Sequence, residues 1–162
     1  MNKQDQNLKA FTVSYDTKMN RLRSKAMVNY GGCSKQVVAL WDTGATGTCI
    51  SHDVQKDLGL ISIGRRDIST PSGHTTVNTY LVDIELPNGV HLTDITVMDS
   101  EIGSQGLGML IGMDIIGMGD FAVSNAHDHT VFTFRVPSQQ TTDYAKQISV
   151  GNILNKDKRK KR

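Results

Sequence analysis

Apolar residues recur along most of this chain at a period of two, interrupted at short intervals by glycine, proline and asparagine. "AFTVSYD" (10–16) alternates and is β-branched, and "RLRSKAMVNYGG" (21–32) continues in mixed polar and apolar residues to a Gly-Gly turn. "QVVALWD" (36–42) is nearly continuous in apolar residues, the pattern of a strand buried on both faces. "SHDVQKDLGL" (51–60) reads as a helix, with Ser51 as N-cap, Val54 and Leu58 four apart, and Gly59 as a stop. Residues 66–86 form two β-rich arms around "TPSG", whose Pro-Ser-Gly is turn chemistry. "LPNG" (86–89) marks the next turn and "VHLTDITVMD" (90–99) the next strand. After the Gly-rich connector "GSQGLG" (103–108), "MLIGMDIIGMGDFAVSN" (109–125) reads as strand, glycine turn, a short helix and strand again. "TVFTFRV" (130–136) is the last strand. Many short strands, one or two short helices and no βαβ alternation predict a mostly β domain.

Bulk properties narrow the class. A length of 162 residues suits one domain with a proper core. With 38% hydrophobic and 21% charged residues, wholesale disorder is not expected. Net charge is +2, but the tail "KDKRKKR" holds six of the 18 basic residues and one of the 16 acidic ones, leaving about −3 for the rest. The body is therefore no nucleic-acid surface; any such contact is confined to the tail, whose plainer reading is a solvated, disordered end. No apolar run approaches the roughly 18 residues of a membrane span, and "MNKQDQNLKAF" lacks the apolar stretch of a signal peptide. Cys33 and Cys49 are too few for a disulfide scaffold, although spacing alone leaves one bridge open. The expectation is a cytoplasmic protein with a folded domain over 1–137 and a polar to basic C-terminal extension over 138–162. In that extension Tyr144, Ile148, Val150, Ile153 and Leu154 are available for packing.

The candidate chemistry lies in "ALWDTGATGTCIS" (39–51), where an apolar run ends on Asp42 and small residues follow. Gly44 allows a tight turn or close approach to another chain, and Thr43 can donate and accept hydrogen bonds across an interface. A carboxylate held by such a loop among backbone donors is stabilised as the anion. An isolated Asp-Thr-Gly is a short motif, and its plain alternative is an acid capping a strand end. Here the loop returns at once to apolar chain. A second apolar-apolar-glycine unit, Leu110-Ile111-Gly112, lies 70 residues on and leads into a short helix.

The order "DTGAT", hairpin, "LIG" plus helix resembles the retropepsin-like aspartic proteases, over roughly residues 10–136. That resemblance implies a closed acid-protease β-barrel with one or two short helices. It also implies a homodimer, because Asp42-Thr43-Gly44 occurs once and one chain supplies half a site. Two Asp42 carboxylates would share a proton and activate water against a peptide bond, with no cofactor and no metal. Thr43 would bond across the dimer and Gly44 would meet the substrate backbone. Ala45, Thr46, Ile111 and Gly112, with Ser72, Gly73 and His74 at a flap tip, would contact a polypeptide substrate. An ordinary surface hairpin is the alternative for that flap, and Tyr80 lies down its arm rather than at its tip. Retroviral members usually carry Asp-Thr-Gly-Ala-Asp and later Gly-Arg-Asn, the second acid pairing with the Arg. Thr46 and Met113 stand here, so both partners are missing together and no charge is stranded. Asp114, in the Asn place, is expected to cap the short helix, and Trp41 to point away from Asp42 into core or interface. The altered positions keep open a second function, a catalytically silent domain that binds peptides or mediates assembly.

Other signals carry less. "GSQGLG" lacks the strand and long helix of a dinucleotide site. His127 and His129 fall at an expected hairpin turn, "NAHDHT", without further placed ligands. Cys49 has no histidine set against it and reads as a small buried hydrophobe.

Overall fold

The computed structural model describes residues 8–70 and 73–160; its strands include those read from the sequence and one that was not, Cys49–Ser51. They are β1 (Lys9–Ser14), β2 (Leu22–Tyr30), β3 (Cys33–Trp41), β4 (Cys49–Ser51), β5 (Gly64–Thr70), β6 (Gly73–Leu86), β7 (Val90–Ser100), β8 (Met109–Ile111), β9 (Asp120–Ser124) and β10 (Val131–Val136). The β2–β3 turn places Gly31 at φ 54° and Gly32 at φ 82°. Two successive positive φ values match the twist of a two-residue hairpin, and glycine takes them without strain.

Six strands close a barrel in the order β2-β3-β8-β4-β7-β6, sealed where Met27, Val28 and Asn29 pair with Glu85, Ile84 and Asp83. Most neighbours are antiparallel. The pairs β3–β8 and β4–β7 are parallel, so the chain must leave the barrel and return to make them. β6 is 14 residues long and outruns β7: beyond Thr79 only β5 pairs with it, as a projecting hairpin. A second sheet, in the order β1-β10-β9, packs against the barrel. The contact is aromatic: Phe11, Phe132 and Phe134 from this sheet surround Trp41, and Phe121 stacks on it at 5.4 Å. Inside the barrel Val28, Ile50, Ile84, Val97, Met109 and Ile111 are all fully buried.

Two helices are short, as expected. In α1 (His52–Asp57), Ser51 is the N-cap and accepts the Val54 N–H at 3.3 Å, while Val54 and Leu58 are buried. α2 (Met113–Ile116) buries Ile115 and Ile116.

Two readings of the sequence are corrected. β3 is not buried on both faces: Val37, Ala39 and Trp41 are inside, but Val38 is 41% exposed on the outer surface. The residues after Pro137 include a third helix, α3 (Tyr144–Lys160), which their polar, unpatterned sequence does not predict. Tyr144, Ile148 and Val150 on it are exposed rather than packed. No helix among the described residues is long and apolar enough to cross a membrane. Cys33 and Cys49 are unbridged.

Candidate active site

Asp42 is the first residue after β3, and parallel pairing with β8 decides where it sits. Trp41 lies in register with Ile111, and the Asp42 N–H donates to the Ile111 carbonyl at 2.9 Å. The loop then closes on itself: the Ala45 N–H donates to the Asp42 carbonyl at 3.2 Å, and the Gly44 N–H to Asp42 Oδ1 at 2.8 Å. A third bond runs back to the second unit, from the Met113 N–H to the Ala45 carbonyl at 2.8 Å. Two segments 70 residues apart are thereby stitched into one platform. Asp42 is half-buried on it, and Thr43, Gly44 and Thr46 are exposed.

Gly112 is needed here for space rather than for positive φ, since a Cβ there meets backbone; at Gly47 and Gly44 a Cβ meets only side chains. A Cβ on Gly112 would lie 2.6 Å from the Gly47 carbonyl oxygen, and one on Gly47 would lie 2.7 Å from the Met98 methyl. One on Gly44 would stand 3.2 Å from Asp42 Oδ1. The tight turn expected at Gly44 is made, closed by the Ala45 N–H on the Asp42 carbonyl, without a positive φ at Gly44.

Asp114 is not the N-cap of α2, which is Gly112, but its Oδ1 accepts the Ile115 N–H in the first turn at 2.9 Å. The same carboxylate reaches the other segment, accepting the Thr48 N–H at 2.8 Å and the Thr48 hydroxyl at 2.7 Å. That hydroxyl in turn accepts the Gly112 N–H at 3.1 Å. Thr48 is fully buried and was not singled out from the sequence, where one threonine among several carries no mark. Met113 is exposed beside Thr46, so the place of an acid–Arg pair holds two uncharged residues.

The sequence-derived site residues divide into three groups. Asp42, Thr43, Gly44, Ala45 and Thr46 lie together on the loop. Ile111 and Gly112, expected to touch substrate, are buried and present backbone to the loop from beneath. Gly73 and His74 belong to the projecting hairpin, where His74 Nδ1 lies 3.0 Å from Ser69 Oγ; Ser72 falls outside the described residues. The cleft at Asp42 has a volume of about 310 Å³, bounded by Arg21, Leu22, Leu40 and Thr43 with Phe121 and Val123 of β9. Gly73 and His74 do not line it. Trp41 points away from Asp42 as expected, 5% exposed, its indole N–H donating to Ser24 Oγ at 3.0 Å.

Two neighbouring groups are shifted. Burial pushes the Cys49 thiol up to about 11; a Ser100 hydrogen bond opposes this, and the Asp114 and Asp42 carboxylates add to it. A thiol so held is no nucleophile at neutral pH. Burial, then the Asp99 carboxylate, raises Tyr80, which is enclosed at the hairpin's root with its hydroxyl 3.4 Å from Asp99 Oδ2.

A closed six-stranded barrel carrying an acid-bearing loop, with a projecting hairpin, defines the retropepsin-like architecture. The family model described as aspartyl protease matches residues 25–115, more than half of the chain, and the chain belongs to that family. Among solved structures the fold is similar to a retropepsin-like aspartic protease from Rickettsia conorii, with 12% identity over 84% of this chain and 99% of that one, at a TM-score of 0.52. It is also similar to EIAV protease complexed with the inhibitor HBY-793, with 19% identity over 65% of this chain and 92% of that one, at a TM-score of 0.51. No curated protein matches the chain in sequence.

Proposed function

We propose that this protein is an aspartic endopeptidase active as a homodimer, cutting extended polypeptides between two Asp42 carboxylates. The observation that carries the reading is the Asp42 loop itself. Its acid is fixed by the Gly44 N–H and the Ile111 carbonyl, yet it stands beside exposed Thr43 and Gly44 on a half-open cleft.

Two carboxylates about 3 Å apart cannot both ionise cheaply, so the pair holds one proton and titrates as a unit. The ionised carboxylate takes a proton from a water held between the two, while the protonated one donates to the peptide carbonyl oxygen. Water oxygen adds to the carbonyl carbon. Collapse of the resulting diol breaks the C–N bond, with the proton passing to the departing nitrogen. Gly73 and His74 on the projecting hairpin would cover the peptide, and Thr43 would bond across the two copies.

The test is mass-spectrometric cleavage of a diverse peptide mixture from acid to neutral pH, wild type beside Asp42→Asn. Cuts made by the wild type alone support the peptidase and list its preferred side chains. No cuts from a confirmed dimer would turn the reading to a peptide-binding domain.

A further inference from the structure

A groove of about 640 Å³ lies on the outer face of β2, within the size range of ligand sites. Val13 of β1, Met27 of β2, Val38 of β3 and Leu86 and Pro87 after β6 give it apolar walls. β2 turns Ser24, Ala26 and Val28 into the core, so Arg23, Lys25 and Met27 face outward. Two cations therefore stand in a mostly apolar groove.

Neither cation has a partner. No hydrogen bond or ion pair among the described residues reaches the Arg23 guanidinium or the Lys25 ammonium, and Arg23 Nε is buried with nothing to accept its proton. The backbone of Arg23 is by contrast satisfied, its N–H and carbonyl both bonded to the Tyr15 hydroxyl at 2.7 Å. Glu85, the carboxylate in the groove, sits in register with Met27 and pairs with neither cation. Elsewhere the chain does pair its cations: Lys18 with Asp128, Lys35 with Asp57, Arg135 with Asp120. A buried donor on a charged group costs free energy when it is left unmet, so this one calls for an acceptor from outside the chain.

The groove also adjoins the candidate active site. Asn20, Arg21 and Leu22 bound the Asp42 cleft, and Arg23 is the next residue. A polypeptide leaving the cleft along β2 meets Arg23 first and Lys25 about 6.7 Å further on.

We propose that this groove is an exosite for the polypeptide substrate. It takes an apolar stretch bearing two carboxylates two residues apart, outside the segment being cut. Alternate residues of an extended peptide repeat at the spacing of Arg23 and Lys25, so each carboxylate meets one cation. Val38, exposed and opposite Lys25 in register, offers the apolar contact. The inference rests on the peptidase reading above, but binding in the groove needs no turnover.

The experiment measures fluorescence anisotropy with the full chain carrying Asp42→Asn. The probes are labelled Leu-Glu-Val-Glu-Leu and its uncharged counterpart Leu-Gln-Val-Gln-Leu. The acidic peptide is expected to bind at least about tenfold tighter than the uncharged one, and to lose that advantage near 1 M salt, where the screening length falls to about 3 Å. Arg23→Gln and Lys25→Glu are each expected to weaken it about tenfold. Lys25 is exposed, so its variant reads binding without touching the core. In the peptide mixture, Lys25→Glu on the otherwise wild-type chain should slow cuts in polypeptides that carry such a stretch more than cuts in the rest. Equal binding of the two probes, or cuts all slowed alike, would overturn the exosite and leave the peptidase standing. A dimer that Lys25→Glu dissociates would assign the groove to a second copy and overturn it too. Binding that depends on Arg23 and Lys25, in a protein whose wild type cuts nothing, would uphold the ligand class and end the catalytic reading.

Discussion

Asp114 holds Thr48 with both carboxylate oxygens, Oδ2 on the backbone N–H at 2.8 Å and Oδ1 on the hydroxyl at 2.7 Å. Because Thr48 also accepts the Gly112 N–H, one carboxylate joins the end of the Asp42 loop to the start of α2. Hydrogen bonds to a charged acceptor contribute about 1.5–3 kcal/mol each, and a buried donor left without a partner costs about 1–3 kcal/mol. Asp114→Ala is therefore expected to lower stability by about 2–4 kcal/mol. Asp114→Asn, which keeps one acceptor, should lose about half of that. Urea midpoints at neutral pH check the order, and no loss from Asp114→Ala would count against the carboxylate as the clamp.

Gly112→Ala tests close approach in the same place. The added Cβ meets two backbone carbonyls, of Gly47 at 2.6 Å and Ala45 at 3.0 Å, and backbone cannot swing aside as a side chain can. Overpacking of this kind costs about 1–3 kcal/mol. The expected outcome is a folded protein with a lower midpoint and little or no hydrolysis, read by thermal melting beside the peptide assay. Gly151→Ala on α3, where nothing stands within 4 Å, should leave the melting temperature unchanged.

Trp41 joins barrel and small sheet. It is 5% exposed, stacked on Phe121 at 5.4 Å and hydrogen-bonded to Ser24. Trp41→Ala is expected to cost about 3–5 kcal/mol. Trp41→Phe should cost much less, since it keeps the ring contact and loses the indole donor. As the chain has one Trp, its emission follows this contact alone. Emission and circular dichroism should give coincident unfolding curves if barrel and small sheet melt together.

Acid stability has a specific source in Asp120. The Ser138 hydroxyl first, then the Gln139 amide and Arg135, hold its carboxyl well below the usual carboxylate range. A carboxyl with a depressed folded pKa stabilises the protein above its unfolded value, about 3.9, and this contribution is lost as pH falls below that value toward the folded one. Asp120→Asn should therefore reduce stability at pH 6, and the gap from wild type should narrow between about pH 4 and pH 2. Urea midpoints across that range decide it; a gap constant with pH would assign the loss to packing instead.

Much of this architecture is local information. Alternating residues in β1, β10 and the arms of the hairpin mark strands because a pleated chain sends successive side chains to opposite faces. Glycine pairs and Asn-Gly mark turns because few other residues take positive φ. Val38 shows the limit: a run of apolar residues does not reveal which of them faces outward, since that depends on which strands pass on each side. α3 is a second limit, a helix that polar composition conceals, with no buried stripe over its described side chains, 144–152.

By itself the sequence determined that Asp42 ends an apolar strand on a loop of small residues, that a second apolar-glycine unit follows with its helix, and that one chain holds one such acid. These are properties of neighbours along the chain. Only the tertiary structure decided that Ile111 would receive the Asp42 N–H and that Asp114 would clamp Thr48 on the other segment. Those contacts join residues 69 and 66 positions apart. No local pattern encodes them, because they depend on how parallel pairing and barrel closure bring distant backbone together.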